Sequence, residues 1–440
     1  MTITNLKARS INAAYWTFGS YAVSQGIRFG SNLLLTRFLA PEFFGMMAIV
    51  TMFMVGLGMF SDIGIGTNII QSERSKDQVF LDTAWTLQII RGAILWGFCI
   101  IAAYPMSVFY HEPTLIWLIP VTGLSALISG FNSTSLFIAN KNLTFKKISL
   151  LEFYSQIISV IITVAIAYFF HSIWALIIGS LFGGLLKTIV SHVWFEDTRN
   201  RLHWDLEQFK YLMSFGGWIF LSTILSFFIG SSASLILGKF VSMSQLGMFT
   251  IAVSLSKIVE QIYQQIDGKI LLPILANIKH LNIVEMRKRI FKIKLVVIGA
   301  FLPMLWVMIL FGQQIIDIMF DHRYHDAGWI LSIYALSSVP MIVSALGPFY
   351  LANGNSKLYL NLNLIKGVVY FLSIYIGWYF GGPNGIIIGM ALQTFITYIV
   401  EVIAQHQYSV WFPKLDIPAL IATLVVVLAS INVTHSLSLS

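Results

Sequence analysis

Charge is what this chain has least of. Only 10% of its 440 residues are Asp, Glu, Lys or Arg, against about 25% in a soluble globular chain. Hydrophobic residues make up 57%. A soluble chain could not hide that much apolar surface, because single cores stop growing at roughly 250–300 residues. The scarcity of charge therefore points to an all-α polytopic membrane protein. Cysteine is nearly absent as well: Cys99 stands alone, so no internal disulfide forms. The nine histidines show no ligand-like cluster, and His322 and His325 sit in a polar turn. No metal and no other cofactor is expected. Catalytic motifs are missing too. There is no Walker-type glycine loop, no HExxH and no pair of outward-facing carboxylates, so no catalytic residue is assigned. The net charge of +8 invites a nucleic-acid reading. Basic residues also collect on the cytoplasmic loops of membrane proteins, and that explanation leaves no nucleic-acid partner.

What the chain has instead is long apolar runs. A helix crossing about 30 Å of hydrocarbon needs about 20 mostly apolar residues. Thirteen stretches qualify: 11–35, 43–66, 82–104, 115–139, 149–170, 172–194, 213–237, 244–266, 290–312, 328–352, 358–380, 384–406 and 416–435. Barrel strands would be about 10 residues long with strict alternation, and these runs are longer and continuous. The first run follows Lys7 and Arg9 but carries Arg28 and no small-residue cleavage site, so it reads as an uncleaved span rather than a signal peptide. With the N-terminus inside, only Arg37, Lys239 and Arg323 fall on the outer side. Arg28, Arg91, Lys187, Lys257 and Lys366 fall within spans, and the remaining basic residues, Lys294 and Lys414 among them, are inside. This satisfies the positive-inside rule for a multi-pass protein of the bacterial inner (cytoplasmic) membrane with a cytoplasmic N-terminus.

The chain also repeats itself at about half its length. Leu35 to Gly45 is echoed by Leu237 to Gly247. Phe137-Ile138-Ala139-Asn140-Lys141-Asn142 is echoed by Tyr350-Leu351-Ala352-Asn353-Gly354-Asn355. Tyr168-Phe169-Phe170 with Ile177-Ile178-Gly179 is echoed by Trp378-Tyr379-Phe380 with Ile387-Ile388-Gly389. Each half holds six spans, an even number, so both enter the membrane alike. They are parallel repeats, an arrangement used by secondary transporters that bind substrate near mid-membrane between the halves. The expectation is two six-helix bundles around a central cavity, 1–200 and 201–410, with one extra transmembrane helix in 411–440.

Charges inside spans must face protein or water, since each costs about 2.5–3.5 kcal/mol at a helix centre. In the first span Tyr21, Gln25, Arg28 and Asn32 recur within a wedge of about 60° at 100° per residue. Arg28 lies roughly 10 Å from the outer end. In the eighth span Lys257 shares a face with Ser254, Glu260, Gln261 and Gln264, and Lys257 and Glu260, three apart, are placed to pair. Arg91, with Gln88 one turn before it, and Lys366, with Asn363 and Tyr370, lie similarly deep. Asp62 sits near the inner end of the second span. Lys187, Glu152 and Glu401 lie near enough to an interface to snorkel. The deep cations Arg28, Arg91, Lys257 and Lys366 outnumber the deep acids Asp62 and Glu260, so the interior is net positive. Its most useful partner is a phosphate or carboxylate, which Arg grips bidentately. Asn132-Ser133-Thr134 matches a glycosylation pattern but falls within a span and reads as packing. The repeat mate of Arg28 is Gly230, so the cationic site is asymmetric between the halves.

The run Arg37-Phe38-Leu39-Ala40-Pro41-Glu42-Phe43-Phe44-Gly45, followed by Phe60 to Gly66 and Ile69-Ile70-Gln71, resembles the amino-terminal signature of the bacterial Wzx-type polysaccharide flippases. The colanic acid and exopolysaccharide exporter branch of the multidrug/oligosaccharidyl-lipid/polysaccharide superfamily is the most similar. The Tyr110-His111-Glu112-Pro113 turn and the segment from Ile138 to Lys147 resemble that branch too. The resemblance implies two six-helix bundles facing a cavity and commonly fourteen spans, one more than counted here. It implies an undecaprenyl-diphosphate-linked oligosaccharide flipped from the cytoplasmic to the periplasmic leaflet by alternating access. The partners it implies are that lipid-linked oligosaccharide, membrane lipids, and the polysaccharide polymerase and chain-length machinery. Cavity-lining spans one, two, seven and eight then point to Arg28 and Lys257 for the diphosphate, with Gln25, Asn32 and Gln261 beside them. Asp62 and Glu260 become ion-coupling acids for H+ or Na+, and Arg91 and Lys366 become lesser substrate contacts.

Two other classes remain open on sequence grounds. A multidrug or organic-cation antiporter of the same superfamily calls for a cavity dominated by carboxylates. A membrane glycosyltransferase or polymerase using the same lipid carrier calls for acid, base or arginine residues on sizeable outer loops. The net-positive interior disfavours the first and the short outer loops disfavour the second.

Overall fold

The computed structural model describes residues 3–142, 144–195, 199–213, 227, 233–267, 271, 274–275, 281–345 and 356–437. The described residues are helical throughout, with short turns between. They form two compact units, Met1–Lys239 and Phe240–Ser440. The first contains α1 (Ile3–Phe38), α2 (Pro41–Phe60), α3 (Ile65–Gln71), α4 (Gln78–Tyr110), α5 (Leu115–Gly130), α6 (Ser135–Lys141), α7 (Phe145–Phe170) and α8 (Trp174–Val193), and α9 (Ala233–Phe240) ends at its border. The second contains α10 (Met243–Ile266), α11 (Ile283–Met319), α12 (Ala327–Ser344), α13 (Ser356–Gln407) and α14 (Pro413–Leu437). The sequence places the boundary near 200, whereas residues 199–213 fold back onto the first unit. There Gln78 donates to the Arg199 carbonyl, Arg74 donates to Gln208, and Leu212 joins a core with Ile65, Ile69 and Phe80.

Among the described residues eight helices are long and apolar enough to cross a membrane, or nine if the bent pair α5 and α6 is one span. The expected seventh span lies largely outside the described residues, as do Gly230, Lys269, Lys279 and the Tyr350–Asn355 word. Two expected spans are broken. The second stops at Phe60 because Ser61 turns its hydroxyl back to the Leu57 and Gly58 carbonyls, at 2.7 and 3.1 Å. Asp62 Oδ1 then accepts from the Gly64 amide at 2.9 Å, and Gly64 takes φ 70°, a conformation open to glycine without strain. The fourth span bends by 63° at residues 131–134. Ser133 and Thr134 are fully buried there and bond to Asn200 and Ser191. The glycosylation-like triplet is thus a packed helix break.

The repeat is visible in the geometry. α1 and α2 join through Leu39-Ala40, and α9 and α10 through Val241-Ser242. The helix-preceding residues Ala40 and Ser242 share one extended conformation, φ −74°, ψ 153° and φ −66°, ψ 158°. Pro41 is preorganised for the first helical position, and Ser242 with Gln245 forms a capping box. The fifth and sixth spans, α7 and α8, pack tightly, and the two legs of α13, which separate at Gly382 with φ 56°, approach closely at Gly377 and Gly385. The aromatic words end the paired legs: Phe170 is 73% exposed and Phe380 82%. Exposed aromatics at helix ends suit the membrane–water interface.

Candidate functional site

In the first unit α1 leans on α7 through its small hydroxyls. Ser20 meets Ser149 at 3.1 Å, and Ser24 exchanges bonds of 2.6 and 2.9 Å with Gln156. This turns the Gln25–Arg28–Asn32 stripe off that contact. Gln25 donates to the Tyr21 hydroxyl at 3.2 Å, and Gln25 and Asn32 are half-buried. Arg28 is exposed within its unit, and no described side chain pairs with its guanidinium.

Arg91 has a structural role that its depth did not reveal. Its Nε and Nη2 donate to Ser61 Oγ at 3.0 and 2.8 Å, and Nη2 donates to the Gly58 carbonyl at 2.8 Å. It therefore satisfies the broken C-terminal end of α2, where carbonyls lose their helical partners and a cation suits the dipole. Asp62 is close enough for its charge to act on Arg91. At the same break Asp62 accepts from the Gly64 amide. Arg91 and Gln88 also line a cavity of about 530 Å³ with Thr51, Thr122 and Ser125. Replacing Arg91 by Met should destabilise the purified protein by about 1.5–3 kcal/mol, the range for hydrogen bonds to charged groups. Thermal unfolding of the purified variant checks this, and an unchanged midpoint would count against the capping role.

In the second unit α10 is two-faced. Leu255, Ser256, Val259 and Tyr263 are buried, whereas Lys257, Glu260 and Gln261 are half-buried and Gln264 is exposed. The expected Lys257–Glu260 ion pair is not formed. Glu260 accepts from Gln264 at 3.0 Å, one helical turn on, and feels Lys257 only at longer range. Lys257 has no hydrogen-bond or ion-pair partner among the described residues. Lys366, by contrast, is bound to Glu401 across the two legs of α13. Lys187 pairs with Glu152 at 3.4 Å. Glu152 and Glu401, expected to snorkel, both serve as counter-ions. Among the described residues no three His, Cys, Asp or Glu side chains gather to hold a metal ion.

The sequence reading missed one pair altogether. Lys294 and Asp416 form a salt bridge of 2.8 Å at 0% and 1% side-chain exposure, and the Tyr398 hydroxyl donates to the same carboxylate at 3.1 Å. By its place in the sequence Lys294 reads as a cytoplasmic loop cation, yet it stands in the column Met286, Ile290, Lys294, Val297, Phe301, all buried. Helical spacing would have placed it on the core face. Asp416 stands likewise in the column Phe412, Asp416, Ala419, Thr423.

Residues 34–328 match the family model described as Polysaccharide biosynthesis protein. The chain is 20% identical over 433 residues to the lipopolysaccharide biosynthesis protein WzxC of Escherichia coli (strain K12), covering 95% of this chain and 88% of that one. It is 22% identical over 311 residues to the teichuronic acid biosynthesis protein TuaB of Bacillus subtilis (strain 168), covering 68% and 62%. Among solved structures it is similar to the lipid II flippase MurJ in an inward closed conformation, with TM-score 0.70 and 14% identity over 98% of this chain and 92% of that one. It is also similar to an inward-facing MATE-family multidrug transporter, with TM-score 0.64 and 15% identity over 87% and 94%. The fold is that of these two-repeat helical transporters.

Proposed function

The chain belongs to the polysaccharide biosynthesis protein family, and from that premise we propose that it flips an undecaprenyl-diphosphate-linked oligosaccharide from the cytoplasmic to the periplasmic leaflet. The observation that carries this reading is a deep cation without a hydrogen-bond or ion-pair partner among the described residues on each of two helices, Arg28 of α1 and Lys257 of α10. Each sugar hydroxyl costs about 4–8 kcal/mol to bring into hydrocarbon unpartnered, and a diphosphate costs more. A transporter must offer the headgroup water, hydrogen bonds and positive charge while the lipid tail stays in the bilayer. Arg28 and Lys257 supply charge to the diphosphate, and Gln25, Asn32 and Gln261 supply hydrogen bonds to the sugars. Arg91 and Lys366 already spend their charge on Gly58, Ser61 and Glu401 and are secondary. The coupling ion is H+ or Na+, with Asp62 and Glu260 as the first acids to test. The N-terminus lies on the cytoplasmic side of the inner membrane, and the product passes to the polysaccharide polymerase and chain-length machinery.

The test is an Arg28→Ala/Lys257→Ala double variant. Neither side chain has a hydrogen-bond or ion-pair partner among the described residues, and Glu260, which feels Lys257 only at longer range, keeps its bond from Gln264, so the protein should still insert. Surface polysaccharide should be lost while the variant remains at normal level in the membrane. Normal polymer from the double variant would sink the assignment.

A further inference from the structure

Inside the first unit α4 and α5 cross in backbone contact. A Cβ on Gly92 would meet the Ala126 carbonyl oxygen at 2.7 Å, and one on Gly130 would meet the Gln88 carbonyl oxygen at 2.8 Å. The crossing brings Gln88 and Arg91 of α4 together with Thr122 and Ser125 of α5, and α2 and α8 complete the walls of the cavity of about 530 Å³. Helix packing leaves several of these polar groups unused. Gln88 Nε2 and Thr122 Oγ1 are buried without a hydrogen-bond partner among the described residues. Arg91 spends Nε and Nη2 on Ser61 and Gly58, while its Nη1 has no hydrogen-bond partner among the described residues. Buried polar side chains are normally paired, so two orphans and a free guanidinium edge around one cavity need an account.

We propose that this cavity binds a hydroxylated carboxylate of the size of a sugar acid. The unused groups on α4 are donors. Gln88 and Arg91 stand three apart, on one face of the helix, and offer N–H groups from two side chains to the two oxygens of a carboxylate. The terminal torsion of Gln88 is broad, so its amide can turn the donor into the cavity. Charge-assisted bonds of this kind are the strong ones. Among the described lining residues there is no carboxylate to compete. Asp62, whose charge reaches Arg91, is not a lining residue and accepts from the Gly64 amide. Phe227 packs on Gly56 and Phe60 of α2, and the stretch around it, 214–232, carries no charged residue. The Thr51, Thr122 and Ser125 hydroxyls both donate and accept, which suits hydroxyls on the ligand. Size decides against a bare ion, since the volume lies within the roughly 300–1,000 Å³ of organic-ligand sites. Met54, Leu95 and Leu176 give it apolar walls for the C–H faces of a sugar ring.

No residue of α1 is among the described lining residues, so this site is separate from the Gln25–Arg28–Asn32 stripe. A sugar acid can reach it from two sources, as an acidic residue of a glycan or as a free solute. Both present the same carboxylate and hydroxyls. The inference goes beyond the flippase reading and does not depend on it.

The experiment is isothermal titration of the purified full-length protein with sodium D-glucuronate, D-glucose and sodium acetate. Glucuronate should bind saturably. Glucose lacks the carboxylate and acetate lacks the hydroxyls, so each should bind about tenfold more weakly or worse, the loss expected for a hydrogen bond to a charged group. Gln88→Leu should weaken glucuronate by about the same factor and leave glucose unchanged. A merely structural effect would move both alike. The Gln88 side chain makes no hydrogen bond to a described residue, so its removal strands no partner and the variant should fold. Thr122→Val is the second variant, and it should weaken glucuronate and glucose together. Arg91 is left in place because it holds the end of α2. The proposal is overturned by wild-type protein that takes no glucuronate, by equal binding of glucose or acetate, or by glucuronate binding untouched in Gln88→Leu. In cells the Gln88→Leu/Thr122→Val double variant separates the two sources. Lost surface polymer identifies the glycan, and normal polymer with glucuronate binding lost identifies a free solute. The titration uses no lipid-linked glycan, so its result stands if the flippase reading fails.

Discussion

Replacing Lys294 by Met should cost the second unit about 3–5 kcal/mol, the usual penalty for removing one partner of a buried ion pair. Asp416 would keep the Tyr398 hydroxyl, its hydrogen-bond donor at 3.1 Å, but would lose its only described cation. A carboxylate at 1% exposure can then only take a proton or draw in water, and both change the packing of α14 on α11. The destabilisation should come from the orphaned charge rather than from lost attraction. The double variant Lys294→Met/Asp416→Leu should therefore recover most of it, since apolar replacement of a whole buried pair is often neutral. Trp306, which donates to Thr423 at 3.0 Å, sits along the same α11–α14 contact. Its fluorescence during denaturant unfolding follows the event. A double variant as unstable as the single one would mean that the pair itself, and not the stranded carboxylate, holds α14.

This pair also shows where sequence reading stops. The apolar runs were legible because every lipid-facing position must be apolar, so even a coarse window finds them. The break at Gly382 was legible for the same reason, since Gly381-Gly382-Pro383 interrupts an otherwise continuous run. The breaks at Ser61–Gly64 and Phe131–Thr134 were not. Ser, Thr and Asn cost a window average little, while their side chains satisfy exactly the backbone groups that a break exposes. Lys294 was misplaced because a cation near a span end looks like a loop cation until its helical column is followed to Val297 and Phe301. Asp416 was passed over for the same reason. Its partner is 122 residues away, and no local pattern announces it.

The candidate site divides in the same way. Arg28 and Lys257 were legible because a polar stripe on an apolar helix is a local signal. Arg91 and Lys366 carry the same signal at similar depth, yet the structure gives them carbonyl, hydroxyl and carboxylate partners from other segments. Depth identifies a charge that needs compensation. Only the fold says whether protein supplies it, and Arg28 and Lys257 have no hydrogen-bond or ion-pair partner among the described residues.

The largest purely steric effect is expected at the repeat's paired glycines. Gly179 of α8 lies against Ser159 and Thr163 of α7, and Gly389 lies against Ser373 and Gly377 in the two legs of α13. Thr163 and Ser373 are separated by the same 210 positions as Gly179 and Gly389, so both halves use one helix contact twice. In an exposed helix, Gly→Ala stabilises by about 0.8–1.0 kcal/mol. Here the sign should reverse. A Cβ on Gly389 would run into the Ser373 carbonyl oxygen, with the carbonyl carbon at 3.0 Å. Backbone cannot rotate aside as a side chain can. Gly389→Ala should therefore destabilise by about 1–3 kcal/mol, the cost of overpacking, read as a lowered thermal midpoint of the purified protein. A Cβ on Gly179 would strike the Thr163 hydroxyl first and the Ser159 carbonyl oxygen at 2.8 Å. Gly179→Ala should then be partly rescued by Thr163→Ala, which removes the nearer obstacle but leaves the carbonyl. Gly389 has no such rescue, because its nearest obstacle is backbone. Stabilisation by either alanine would show that the legs separate freely, and the shared glycine contact would lose its claim to hold each pair of spans together.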